Sequence, residues 1–284
     1  MNFRRIEWIF LVAFVVLDIF LAFMYIQNNT HSTKTAGNTT TTIIREMRAD
    51  GISFKNPATK EGTGYYIAGN NDNGLKQHLS QLSGQTARVQ STGKLTSSLR
   101  TPQTLNEDDL KDDLTAFMQQ NSNVIHGDEY VYDAALSSEG DYVFVQKVAD
   151  GEILTSTGQV HLSVNKNDQL TGYTQSYVNN VKTLREKAVT ISEKKALVAL
   201  YQYNQVSNNS KIVWGRLGYS RLVKLKNSSV YVPTWIFAVR SKNSSNVTMH
   251  RINAFTGASM KNGNDSSESE TSSIETNAGM IWNF

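Results

Sequence analysis

One nearly unbroken apolar run, Ile6 to Ile26, constrains this chain more than any other feature. At 1.5 Å per residue, a helix of about 21 residues matches a hydrocarbon core of roughly 30 Å. The run is longer than the about 7 to 15 apolar residues of a signal peptide. It leads into Tyr25-Ile26-Gln27-Asn28-Asn29 and not into a small-x-small cleavage site. An uncleaved transmembrane helix over 6–26 is therefore expected. Arg4 and Arg5 precede the span, and the first basic residue after it is Lys34. The excess of positive charge sets residues 1–5 in the cytoplasm and the rest of the chain outside. Trp8 and Tyr25 stand near opposite ends, where amphipathic rings favour the membrane–water interface.

Asp18 is the anomaly in this run. A carboxylate near mid-bilayer costs about 2.5–3.5 kcal/mol on insertion scales and is seldom left facing lipid. One reading is a tolerated residue that is protonated or reaches towards water. The other is a contact between membrane helices. Glu7, Leu11, Phe14, Asp18, Ala22 and Tyr25 follow one another at spacings of three and four, which places both acids and the small Ala22 on one helix face. That face is the candidate partner contact, with Glu7 also in reach of Arg4.

The remaining chain has to fold without covalent help. There is no cysteine among the 284 residues, which excludes disulfides, iron–sulfur clusters, thiolate zinc sites, a cysteine nucleophile and a lipid anchor on cysteine. Core burial alone must stabilise an exported domain of this kind, as is common in Gram-positive bacteria. With 39% hydrophobic and 10% aromatic residues, such a core is available. The 28 basic and 25 acidic residues leave a net charge of +3 with no Lys/Arg-rich run, so nucleic acid is not an expected partner.

After the anchor, residues 27–42 are Asn, Thr, Ser, Lys and Gly with almost nothing to bury, and read as a flexible stalk. An outer domain is expected over 43–262, followed by a polar tail over 263–284. Residues 43–49 suggest a helix turn, 64–68 a short strand, and 74–82 a helix closed by Gly84. Asn106 caps a clearer helix, in which Leu110, Leu114, Phe117 and Met118 form one stripe. Strands are expected at 130–136, 142–148, 158–164 and 172–178, with Asn165 to Asp168 as a hairpin loop. The order then repeats. Thr190-Ile191-Ser192-Glu193 reads as a capping box before Leu197, Leu200 and Tyr201, and strands are expected at 212–223, 230–240 and 247–255. The expected fold is thus α+β, with one transmembrane helix followed by two related helix-plus-antiparallel-sheet units, provisionally 43–180 and 181–262. Pro233 near the start of its strand favours an edge or a bulge.

No motif assembles a reaction centre. The five histidines, His31, His78, His126, His161 and His250, occur singly. There is no Gly-x-Ser-x-Gly elbow and no phosphate loop. His161 and His250 hold similar places in the two units, but a strand histidine is more often a half-buried filler than a catalyst. Acidic residues at 107–109 and 112–113 obey helical rather than calcium-loop spacing. No catalytic, cofactor-binding or metal-binding residue is expected.

The N-terminal residues Arg4-Arg5-Ile6-Glu7-Trp8-Ile9-Phe10-Leu11-Val12-Ala13-Phe14 and Leu17-Asp18-Ile19-Phe20-Leu21 resemble the start of the YycI (WalI) family. Pro233-x-Trp235 and Phe255-Thr256-Gly257 agree with that family's YycH-like outer domain. The resemblance implies a single-pass protein of the Gram-positive cell membrane that regulates without catalysis. Its implied partners are a YycH-type protein and the sensor histidine kinase WalK (YycG), which governs cell-wall metabolism. From the residues alone, a wall-associated binding module, or an enzyme or protease inhibitor on a simple anchor, remains the competing reading.

Overall fold

The computed structural model describes residues 8, 11, 13–21, 39–70, 74–148, 150–226, 228–242, 244 and 246–260. Beyond the N-terminal helical segment 13–21, the chain is α+β. Its two longest capped helices each lie on the strands that follow them.

A 3-10 turn over Glu107–Asp109 leads into helix α3 (Leu110–Gln119). The expected cap Asn106 caps that turn, its Oδ1 accepting from the Asp108 amide at 3.3 Å, while Asp113 accepts from the Asn106 amide at 2.8 Å and Asp109 makes no side-chain cap to α3 itself. These bonds satisfy amides that a helix start leaves free. The expected stripe then falls inward, with Leu114, Phe117 and Met118 buried and Leu110 packed alongside. The stripe meets the inner faces of β5 (Tyr130–Tyr132), β6 (Asp141–Val148), β8 (Gln159–Val164) and β9 (Gln169–Gln175). The β8–β9 loop turns where expected. Asn165 Oδ1 accepts from the amides of Asn167 and Gln169, and Asp168 takes a left-handed φ of 53°.

Helix α4 (Glu193–Gln202) covers β12 (Ser210–Lys224), β13 (Ser228–Ser241) and β14 (Val247–Asn253), an antiparallel meander. Its cap differs from the expected box. Ser192, not Thr190, accepts from the Lys195 amide at 3.3 Å, and Glu193 reaches away to the Ala58 amide at 2.8 Å. A segment distant in sequence has taken the carboxylate that a local box would have used.

The expected division at residue 180 does not follow the cores. Helix α1 spans 39–49, so the last residues of the expected stalk are helical. Ile43, Ile44 and Met47 on α1 are buried with Leu197 and Leu200 of α4. Strand β2 (Ile67–Asn70) pairs with β13, and β10 (Asn179–Thr183) pairs with β2. Residues 39–70 therefore complete the second half, and the first core draws its buried residues from Leu75 to Tyr173.

The halves join in one sheet of order β10-β2-β13-β12-β7-β6-β8-β9-β4-β3, which adds β3 (Gln85–Val89), β4 (Leu95–Thr104) and β7 (Gly151–Ile153). As strand pairing the join is narrow, a single parallel pairing of Tyr219 with Ile153. Two buried clusters nevertheless pack across it, one around Ile67, Ile153, Tyr219 and Tyr231 and one around Val143, Val145, Leu154 and Ile236. Pro233 lies neither on an edge nor at a bulge. Its strand is central, paired to β12 along its length, but on the opposite side β2 stops at Tyr231 and β14 begins at Thr234. The Pro233 carbonyl accepts from the Ala254 amide on that side at 2.9 Å. In a strand the N–H and C=O of one residue point the same way, so the missing N–H falls in the gap between two neighbours.

Candidate functional site

The first candidate is the N-terminal segment. Residues 13–21 are helical, as are 8 and 11, so Leu11, Phe14 and Asp18 lie on one face at the expected spacing. Nothing described covers that face or any other. Trp8 is 68% exposed, Leu11 58% and Phe14 61%, and Asp18 is exposed as well. Large contiguous apolar surface of this kind marks contact with a membrane or a partner. Among the described residues no helix is long and apolar enough to cross a membrane. Arg4, Arg5, Glu7, Ala22 and Tyr25 lie outside the described residues.

The second candidate is the join between the halves. Asp133, just past β5, is 3% exposed and its carboxylate is fully engaged. Oδ1 accepts from the amides of Ala135 and Leu136, and Oδ2 accepts from Arg216 Nη1 at 2.6 Å. The same guanidinium donates from Nη2 to Glu152 of β7 at 3.0 Å and stands over the Trp214 ring. One arginine of β12 thus bridges two carboxylates of the other half, in the fork geometry that Lys lacks. Sequence reading missed this clamp. The available signal was a charge, Arg216, set among Ile212, Val213, Trp214, Gly215, Leu217 and Gly218 in the middle of its strand.

Beside the join lies an open groove of 590 Å³ lined in part by Glu129, Gln146, Tyr177, Val178 and Lys182. His126, in a left-handed conformation with φ 52°, stacks on Tyr177 at 4.7 Å between ring centroids. The Tyr177 hydroxyl donates to Glu129 at 2.9 Å. Burial, then that bond and the Glu129 charge, push the phenol well above its ordinary range, so it stays a donor. This rim offers hydrogen bonds and ring faces, and holds no activated nucleophile.

The two strand histidines are brought to different settings. His161 Nδ1 meets the Asp141 carboxylate at 3.0 Å and Nε2 meets Gln159 Oε1 at 3.1 Å. Both ring nitrogens are thus occupied by side-chain partners, which hold the ring in place. His250 contacts Gln205 at 3.1 Å. Its pKa is lowered from the ordinary 6.5, by burial first and then by the Arg251 charge. A base whose folded pKa lies below its unfolded one costs stability as pH falls through the unfolded value. His250→Gln is therefore expected to flatten the decline in melting temperature between about pH 7 and pH 5.5. An unchanged slope in a pH series of thermal melts would remove His250 as its source. Among the described residues no three His, Asp or Glu side chains gather in a way able to hold a metal.

These features define an α+β protein with an uncovered apolar helix face and an arginine clamp between two halves. The YycI protein family model matches residues 30–255, and the chain belongs to that family. It is a regulatory family, associated with the WalK kinase system. No curated protein matches the chain significantly. Among solved structures, an uncharacterized protein from Eubacterium rectale is similar at 8% identity and a TM-score of 0.41, over 70% of this chain and 86% of that one. The YpeB C-terminal domain of Bacillus megaterium is similar at 12% identity and a TM-score of 0.36, over 79% and 95%. Likeness this loose carries no functional argument.

Proposed function

We propose that this chain is a membrane-anchored accessory regulator of the sensor kinase WalK (YycG), acting through contacts of its own membrane helix and in complex with a YycH-type protein. The observation that carries the reading is the uncovered face of Leu11, Phe14 and Asp18 in a chain of the YycI family. A kinase signals through small shifts of its membrane helices, and a partner that binds one arrangement better biases the equilibrium by its differential affinity. Residues 6–26 span the membrane once in this proposal, with residues 1–5 in the cytoplasm and the two helix-plus-sheet units outside as related modules for the YycH-type partner.

The deciding experiment replaces 6–26 by an unrelated apolar helix of equal length and follows expression of the kinase-controlled genes. Regulation is expected to fall to the level of a strain lacking the protein while the outer domain remains exported. If regulation survives the exchange, the helix serves only as an attachment and the proposed mechanism is wrong.

A further inference from the structure

We propose that a hollow at the exit of α1 is a binding site for a phosphate-bearing anion. The hollow measures 340 Å³, and its wall carries Lys211, Arg240 and Lys242 with the hydroxyl residues Ser53, Ser241 and Ser244 and no carboxylate. Three separate parts of the chain build it. Just past helix α1, Gly51 takes a left-handed φ of 74° against the Asn209 side chain, a conformation that favours glycine. The turn is closed by the Ile52 amide donating to the Met47 carbonyl at 3.0 Å, a common helix stop. The chain leaves that turn through Ser53, which bridges in parallel to Lys211 at the start of β12. Lys211 is in turn paired directly with Arg240 at the end of β13.

That last pairing is the unusual one. Residues directly opposite in an antiparallel ladder share a face with Cβ atoms about 4.5–5.5 Å apart, and like charges in such a pair are destabilising. Among the described residues neither cation forms an ion pair with a carboxylate, and the nearby Asp50 carboxylate accepts from the Tyr201 hydroxyl at 2.6 Å. Lys242 stands in the turn just past the end of β13 and also lines the hollow. The sheet end thus holds cations together against their repulsion. An anion with several oxygens relieves that repulsion, accepts from the flanking hydroxyls, and matches the charge better than a single carboxylate does. The hollow is also large enough for more than one phosphate oxygen set.

A lipid headgroup and a soluble phosphate share the required chemistry, and the experiment separates them.

The test uses the full chain in neutral detergent, titrated calorimetrically at about 0.1 M salt with pyrophosphate and with short-chain phosphatidylglycerol. Wild type is expected to bind pyrophosphate, and Lys211→Gln/Arg240→Gln to weaken that binding by about tenfold or more. Lys224→Gln/Lys226→Gln, at the far end of the same hairpin, removes equal charge and is expected to leave binding intact. Because the first variant relieves a repulsion, it is also expected to melt no lower than wild type, while pyrophosphate raises the melting temperature of wild type alone. Tighter binding of phosphatidylglycerol than of pyrophosphate identifies a headgroup site, and the reverse identifies a soluble ligand. The proposal is overturned if wild type binds neither probe, or if the far-end variant loses as much as the near one.

Discussion

Arg216→Met is expected to lower the stability of the outer domain by about 2–3 kcal/mol, a fall of about 5–10 °C in melting temperature. The methionine keeps the length and much of the apolar contact on Trp214 but removes both donors. Asp133 is left buried with Oδ2 unpaired, since only Oδ1 has amide donors. Breaking a buried pair by removing one partner costs about 3–5 kcal/mol. The lower figure applies because the arginine side chain is 32% exposed and Glu152 35% exposed, so water already screens part of the interaction. Asp133→Asn combined with Arg216→Met removes the stranded charge while keeping an acceptor for the Ala135 and Leu136 amides, and is expected to recover most of the loss. A single variant that melts within about 1 °C of wild type would show that the clamp contributes little. The position matters because strand pairing between the halves is confined to Tyr219 with Ile153, so the clamp and the small buried clusters around Ile153, Tyr219, Leu154 and Ile236 hold them together.

Asp18→Leu is expected to weaken co-purification of the membrane partner by about tenfold without harming insertion. Leucine at a helix centre inserts better than aspartate by about 3 kcal/mol, so the proposed membrane helix is expected to insert in the variant as well. Polar contacts between membrane helices are worth about 0.6–2 kcal/mol, which corresponds to roughly threefold to thirtyfold in affinity. Asp18→Asn keeps an acceptor without the charge and is expected to retain most of the complex. The kinase and the YycH-type protein would be recovered from detergent extracts and quantified against the full chain. Equal recovery with leucine and with aspartate would remove Asp18 from the contact and leave the bland reading, a tolerated polar residue.

The helices and strands were largely legible because their determinants are local. The stripe of Leu114, Phe117 and Met118 and the Asn165 to Asp168 turn depend on residues within a few positions of one another. Caps were less secure. Glu193 satisfies the Ala58 amide, a partner 135 positions away, and no local pattern announces that. Pro233 suggested an edge or a bulge by a sound local rule. Its central place is possible only because β2 and β14 leave a gap beside it, which is a fact about two other strands.

The apolar run of 6–26, the absence of cysteine, the α+β class and the YycI resemblance were therefore decided by the sequence itself, since each rests on composition or short-range periodicity. Tertiary structure alone decided that residues 39–70 complete the second half, that Arg216 ties Asp133 to Glu152, and that Lys211 faces Arg240 without an acid between them. Those contacts join residues far apart in the chain. Their energies come from burial and charge proximity that exist only once the sheet has formed.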